Sequence, residues 1–83
     1  MDQAARRAFL LKSGRITDGV ITDGETARNG DEIAFYVYTL NGVDFESSEI
    51  LTAEQRRTPV KYAPGAKVAI RYDPKNQGNS ILE

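Results

Sequence analysis

The chain has 83 residues and a formal net charge of −1, and it contains neither cysteine nor histidine. A chain of this length forms one domain with a thin core, because only roughly 60% of its unfolded surface can be buried. Without cysteine there is no disulfide, zinc–thiolate site or thiol nucleophile, and without histidine the commonest general base and metal ligand is missing. The composition therefore argues against an enzyme and predicts a domain without a cofactor.

Charge is distributed unevenly along the chain. Residues 1–17 carry four basic residues and one acidic residue, residues 18–49 carry one basic and eight acidic, and residues 50–83 carry six basic and three acidic. One interpretation is that acidic middle strands pack beside basic terminal strands, so that attraction helps to assemble the sheet. The alternative is a dipolar surface that orients a charged partner.

The apolar segments are short. None approaches the roughly 18 to 20 residues that span a bilayer, and the apolar run at residues 8–11 is too short for the core of a signal peptide. We therefore expect a soluble, cytoplasmic chain without a transmembrane helix.

The first predicted element is a short helix at residues 3–13, where alanine, arginine, leucine and lysine dominate. Gly14 follows in the position at which a left-handed residue often ends a helix. Helical spacing predicts an apolar face that lies on a sheet, formed by Ala5, Ala8 and Phe9. Arg6 and Arg7 are expected on the solvated face.

A sheet is predicted over residues 15–83, and its first strand contains Gly19. An isolated glycine inside a strand indicates a bulge, or a bend at which another backbone comes close. Asn29 and Gly30 tolerate positive φ and predict the turn that ends this strand.

Asn41 and Gly42 give the strongest local signal, since this pair favours a two-residue type I′ hairpin. The turn fixes the register of the two strands that flank it. One face, which we expect in the core, carries the pairs Leu40–Val43, Tyr38–Phe45 and Tyr36–Ser47. The other face carries the pairs Thr39–Asp44, Val37–Glu46, Phe35–Ser48 and Ile33–Ile50.

A polar connection with one helical turn at residues 53–57 is predicted next, and Pro64–Gly65 then turns the chain into another strand. Strict alternation points three side chains of that strand inward: Val68, Ile70 and Tyr72. Asp73 and Pro74 end it, because proline has no N–H for the ladder and restricts the residue before it. Residues 75–78 are expected to complete the loop, and residues 79–83 to return as a short strand.

Three segments together resemble a widespread bacterial family catalogued as domain of unknown function 3592. They are the glycine-valine start at residues 14–20, the hairpin "YTLNGVDFESS" and the ending "PGAKVAIRYDPKNQGNSILE". The recurring ending of the family is matched at Gly65, Val68, Ile70, Tyr72, Asp73, Pro74, Asn76, Ser80, Ile81 and Leu82. Gln77 stands where the family usually has a second proline, so the closing loop should be looser.

The resemblance covers residues 10–83 and implies a fold, since the family brings no established activity. Family members often carry transmembrane helices beside this domain, so the resemblance also implies a membrane-proximal role as one alternative. We expect a mainly β fold, namely a small five-stranded barrel or rolled antiparallel sheet with a short N-terminal helix.

Two kinds of site fit the residues less well. The carboxylates Asp18, Asp23, Glu25, Asp31 and Glu32 crowd one strand and turn, but their spacing does not match an EF-hand, which favours a solvated acidic edge over a metal or small-ligand site. An OB-like nucleic-acid module would use a basic patch of Arg56, Arg57 and Lys61. Most aromatic residues lie instead on the acidic strands, which would repel phosphate.

The remaining candidate is a protein-interaction surface. Residues 33–40 form an uncharged run rich in β-formers, and both of its faces are apolar, so both need cover. If the chain covers only one face, the partner-facing residues are Ile33, Phe35 and Val37. We therefore predict a non-enzymatic accessory or interaction domain that binds a second copy or another protein.

Overall fold

A computed structural model describes residues 2–83 and has a mainly β fold, as predicted. One helix precedes five strands: α1 (Gln3–Ser13), β1 (Arg15–Thr26), β2 (Glu32–Leu40), β3 (Val43–Ile50), β4 (Lys67–Asp73) and β5 (Asn76–Leu82). Two short 3-10 helices, Gln55–Arg57 and Pro59–Tyr62, connect β3 to β4. The strands form one antiparallel sheet in the order β3-β2-β1-β4-β5, which curls into a nearly closed barrel.

The barrel interior is built from alternate residues of each strand, as the alternation predicts. Its buried cluster includes Ile21, Tyr36, Tyr38, Val68, Ile70 and Leu82. The rings of Tyr38 and Phe45 stack with centroids 5.3 Å apart and 15° between their planes. Every predicted cross-strand pair of the β2–β3 hairpin is observed, and positive φ at Asn41 and Gly42 confirms the tight turn.

The seam of the barrel lies between β3 and β5, which run parallel because four antiparallel steps separate them. Side chains bridge this seam. The Glu49 carboxylate accepts the Leu82 N–H (Oε1 to N, 3.0 Å), and the hydroxyls of Tyr36 and Ser80 lie 2.8 Å apart. The barrel is thus closed by side-chain hydrogen bonds at the place where its two edge strands meet.

Helix α1 has the predicted bounds, but the predicted contact face is wrong. Its buried residue is Leu10, whereas the residues expected on the sheet are exposed: Ala5, Ala8 and Phe9. The expectation that Arg7 is solvated is also wrong, because its Nη1 donates to the Leu82 carbonyl at 2.7 Å and Arg6 beside it is only half-exposed. The helix packs on β4 and β5, where it buries Leu10 completely and supplies a hydrogen-bond donor to the unpaired Leu82 carbonyl.

Gly14 ends α1, but not in the predicted left-handed conformation. Its φ is −77° and its ψ is 160°, which is extended backbone. Glycine is required there by space, since a Cβ would lie 2.5 Å from the Leu10 carbonyl oxygen. The chain therefore passes from helix to strand too close to its own last turn for a side chain.

Gly19 marks a close approach, as predicted, whereas the bulge of β1 lies three residues later. A Cβ at Gly19 would be 2.8 Å from the Val37 carbonyl oxygen and 2.7 Å from Ile70 Cγ1. The pairing with β2 shifts between Ile21 and Asp23, so Thr22 is the extra residue.

The C-terminal part differs from the prediction in one respect. Strand β4 has the predicted inward residues and ends at Asp73, whose carboxylate accepts the Lys75 N–H at 2.9 Å. The expected loop at residues 75–78 is wrong, because β5 already begins at Asn76 after the two-residue turn Pro74–Lys75. A tight turn starts the return strand early, and the register shift between Tyr72 and Asp73 absorbs the extra residues.

Within residues 2–83 no helix has both the length and the apolar character needed to cross a membrane.

Candidate interaction surface

The outer face of β2 carries the apolar strip, which we define as Ile33, Phe35 and Val37. All three side chains are half-buried, so the chain covers them only in part. Their neighbours across the strands extend the strip with Val20 on β1 and with Ile50 on β3. The strip thus runs along the side of the barrel that faces away from the core.

Acidic side chains border this strip and form the acidic rim. The members are Asp18, Asp23, Glu25, Asp44 and Glu46, and all are exposed. Asp23 pairs with Phe35 and Glu25 with Ile33 on one side, while Glu46 pairs with Val37 on the other. Because side chains paired across strands stand roughly 5 Å apart, each carboxylate lies beside an apolar neighbour.

The bulge of β1 is what places two of these carboxylates. Before it, Gly19 and Ile21 face the core, so strict alternation would also point Asp23 inward. The extra residue Thr22 reverses the alternation and turns Asp23 and Glu25 to the outer face. A backbone irregularity, which the sequence analysis placed at Gly19, therefore creates one side of the acidic rim.

A depression of about 310 Å³ lies over the middle of the strip. Phe35 and Val37 line it together with carboxylates from both sides, Asp23, Glu25 and Glu46. These carboxylates do not converge, and residues 2–83 contain no group of three acidic side chains that could hold a metal ion. The depression therefore offers apolar contact in the middle and negative charge at the border.

The predicted basic patch lies on the two 3-10 helices. Arg56, Arg57 and Lys61 are exposed there, and Val60 between them is 84% exposed. We call these four residues the basic knob. An aliphatic side chain so exposed between cations has no cover within residues 2–83.

Buried side chains hold the basic knob from beneath. The Gln55 amide donates to the Leu82 carbonyl (Nε2 to O, 3.1 Å) and accepts the Thr52 N–H at 2.8 Å. The Tyr62 hydroxyl donates to the Glu83 carbonyl at 2.8 Å. These contacts fix the knob to the barrel as a preformed projection, and its Arg56 borders one end of the apolar strip at a depression of about 380 Å³ that Ile33 also lines.

The rings that could stack nucleic-acid bases are divided between the barrel interior and the outer face, where Phe35 lies half-buried among carboxylates. Tyr36 and Tyr38 are buried in the barrel, and their hydroxyls bond to Ser80 and to the Gln77 carbonyl. Among the aromatic residues, Tyr62 accompanies the basic patch, where Lys61 Nζ lies 5.6 Å from its ring centroid. Tyr62 is itself buried, so the patch presents charge and an aliphatic side chain.

Glu49 is a buried acid that the sequence analysis did not single out. It is 4% exposed, and burial raises the pKa of its carboxyl, while the Leu82 N–H and the guanidinium of Arg7, 3.7 Å away, act in the opposite direction. The hairpin register could have revealed it, because Ala34 and Glu49 lie on the same face as Tyr36 and Ser47.

A buried acid of raised pKa is a candidate general acid when a substrate can reach it. The neighbouring depression of about 220 Å³ is lined by Arg7 and Gln55 but not by Glu49. Since its Oε1 is occupied by the Leu82 N–H, we assign Glu49 to closure of the seam.

Comparison with known proteins gives one match. A family model described as "Domain of unknown function (DUF3592)" matches residues 12–83, which comprise the whole sheet and the end of α1. No curated protein matches the chain, and no solved structure does.

Proposed function

The chain belongs to the DUF3592 family, and we propose that it is a non-enzymatic protein-interaction domain that binds its partner on the apolar strip. The observation that carries this proposal is the half-buried strip bordered by exposed carboxylates. Polar borders around apolar centres are typical of protein interfaces, in which the centre is desolvated and the border stays hydrated.

The absence of histidine and cysteine from the sequence supports the non-enzymatic part of the proposal. Burial raises the pKa of both Tyr36 and Tyr38, which makes these phenols poorer proton donors. Their hydroxyls are engaged with the Ser80 hydroxyl and the Gln77 carbonyl. Both phenol hydroxyls thus have structural partners.

The test is an affinity capture from cell lysate with two baits, the wild-type chain and a Phe35→Ser/Val37→Ser variant. A matched control bait carries Ile16→Ser, because Ile16 is an exposed aliphatic residue of the outer surface that pairs with Arg71, away from the strip. All three baits must first show the same circular dichroism and cooperative unfolding.

We expect at least one protein to be enriched on the wild-type bait and on the Ile16→Ser control bait. The same protein should not be enriched on the Phe35→Ser/Val37→Ser bait. That protein should then bind the purified wild-type chain directly, at least tenfold more tightly than it binds the strip variant. Equal enrichment on all three baits would refute the proposal, and so would loss of binding after nuclease treatment, since the contact would then be with nucleic acid.

A further inference from the structure

Two surface features of this chain have opposite charge. Acidic side chains border the depression over Phe35 and Val37, and the basic knob surrounds the exposed Val60. Neither feature is neutralised within the chain: the ion pairs in residues 2–83 are Arg7–Glu49 and Arg71–Glu83, and both lie elsewhere.

We propose that the occupant of the apolar strip is the basic knob of a second copy of this chain. Val60 of one copy enters the depression over Phe35 and Val37 of the next, and Arg57 and Lys61 lie beside Glu25 and Glu46. This inference rests on the proposed function, because it names the partner of the same surface.

Charge complementarity favours a contact between the knob of one copy and the strip of the next over a contact between the strips of two copies. If two apolar strips packed face to face, the acidic rims would oppose each other, and opposed like charges can cost several kcal/mol. Docking of the knob brings two exposed cations to exposed carboxylates and gives Val60 apolar cover. A single contact therefore pairs the charges of both surfaces and covers the apolar side chains of both.

The contact joins two different surfaces, so it is heterologous and copies add head to tail. A contact limited to one short segment and one sheet face buries less than the roughly 800 Å² per partner of a standard interface. We therefore expect weak association, with an average mass that grows with concentration and falls when salt screens the charges.

The experiment uses two charge-reversal variants of the full chain. The rim variant carries Glu25→Lys and Glu46→Lys, and the knob variant carries Arg57→Glu and Lys61→Glu; all four residues are exposed. Each variant alone brings reversed charges to side chains of the same sign and should associate more weakly than the wild type. An equal mixture restores opposite charges at every contact and should associate like the wild type.

Sedimentation equilibrium from about 10 µM to about 1 mM measures the average mass. For the wild type we expect growth with concentration and, for each variant alone, a dissociation constant raised about tenfold or more. Val60→Ser should weaken association, whereas Ile16→Ser, which changes an exposed aliphatic residue that does not line the depression, should leave it unchanged.

A wild type that stays monomeric over this range would overturn the inference, and so would a mixture that does not associate. In either case the proposed function still stands if the lysate partner binds the wild type and not the Phe35→Ser/Val37→Ser variant. If copies associate with the expected charge-reversal pattern, the strip binds a protein partner and the proposed function stands even when the capture finds no other protein. Both fail if the wild type stays monomeric and the capture shows no dependence on the strip residues.

Discussion

Individual residues decide how the seam of the barrel is closed. Leu82 pairs with Ile70, but the Glu83 N–H donates to the Ala69 carbonyl, so the polar groups of Leu82 point away from β4. Glu49 accepts its N–H, and Arg7 and Gln55 donate to its carbonyl. One backbone unit at the edge of β5 is thus satisfied by three side chains from three different elements.

Glu49→Gln should change how stability depends on pH. Burial raises the pKa of Glu49 above its ordinary value of 4.5, so the folded chain binds the proton more tightly than the unfolded chain does. The resulting stabilisation is fully present below about pH 4.5 and is lost as the pH rises through the folded pKa. Glutamine does not titrate, so the stability of the wild type relative to the variant should fall across this window.

Urea unfolding of both proteins from about pH 4 to about pH 8 measures this difference. Arg6 and Arg7 face the same carboxyl and act against the effect of burial. If the stability of the wild type relative to Glu49→Gln instead grows with pH, the guanidinium groups of Arg6 and Arg7 outweigh burial. The pKa of Glu49 in the folded chain is then lowered.

At the scale of elements, the hairpin was the part that the sequence predicted best. A two-residue type I′ turn at Asn41–Gly42 couples the two strands rigidly, so one local signal determines eight cross-strand pairs. The apolar strip followed from that register by alternation. Burial of Glu49 followed from it too, although an acidic residue on a core face is easily overlooked.

The elements that were missed depend on contacts between distant parts of the chain. The orientation of α1 depends on distant strands, since the helix packs on β4 and β5 and Arg7 donates to the Leu82 carbonyl 75 residues later. The bulge at Thr22 coincides with the start of β4, where Ile21 exchanges hydrogen bonds with Gly65 and Ala66. Local propensity contains no information about such partners, so neither the contact face of the helix nor the position of the bulge could be predicted, although the exposure of Asp23 and Glu25 was.

Tyr36→Phe and Ser80→Ala test whether strands β2 and β5 are coupled through the core. The two hydroxyls lie 2.8 Å apart and both residues are buried, so each single change removes this hydrogen bond from the core. We expect each to destabilise the chain by about 1–2 kcal/mol. The double variant should lose about 1 kcal/mol less than the sum of the singles, because it leaves no hydroxyl unpaired.

Chemical denaturation of the four proteins gives this coupling energy directly. Additive losses would show that the two hydroxyls find other partners in solution and that β5 is not held to β2 through this bond.

The whole molecule is a barrel in which β1 is paired on both sides and the two edge strands meet without a ladder between them. The Leu51 N–H donates to the Glu32 carbonyl, which makes that pair a hydrogen-bonded one and fixes the alternation along β3. Backbone hydrogen bonds to β2 are then made by alternate residues of β3, namely Phe45, Ser47 and Glu49. The backbone N–H groups of the residues between them, Asp44, Glu46 and Ser48, point towards β5.

Amide hydrogen exchange measured by NMR should therefore alternate along β3. The N–H groups of Phe45 and Ser47 should exchange slowly, together with those of β1, because they open only when the sheet opens. Those of Asp44, Glu46 and Ser48 should exchange at least about tenfold faster, since side chains rather than backbone bonds close the seam. Uniform protection along β3 would mean that β3 and β5 form a backbone ladder in solution. Because a closed ladder would make Glu49 dispensable for closure, that outcome would also remove the reason to expect a structural role for the buried carboxylate.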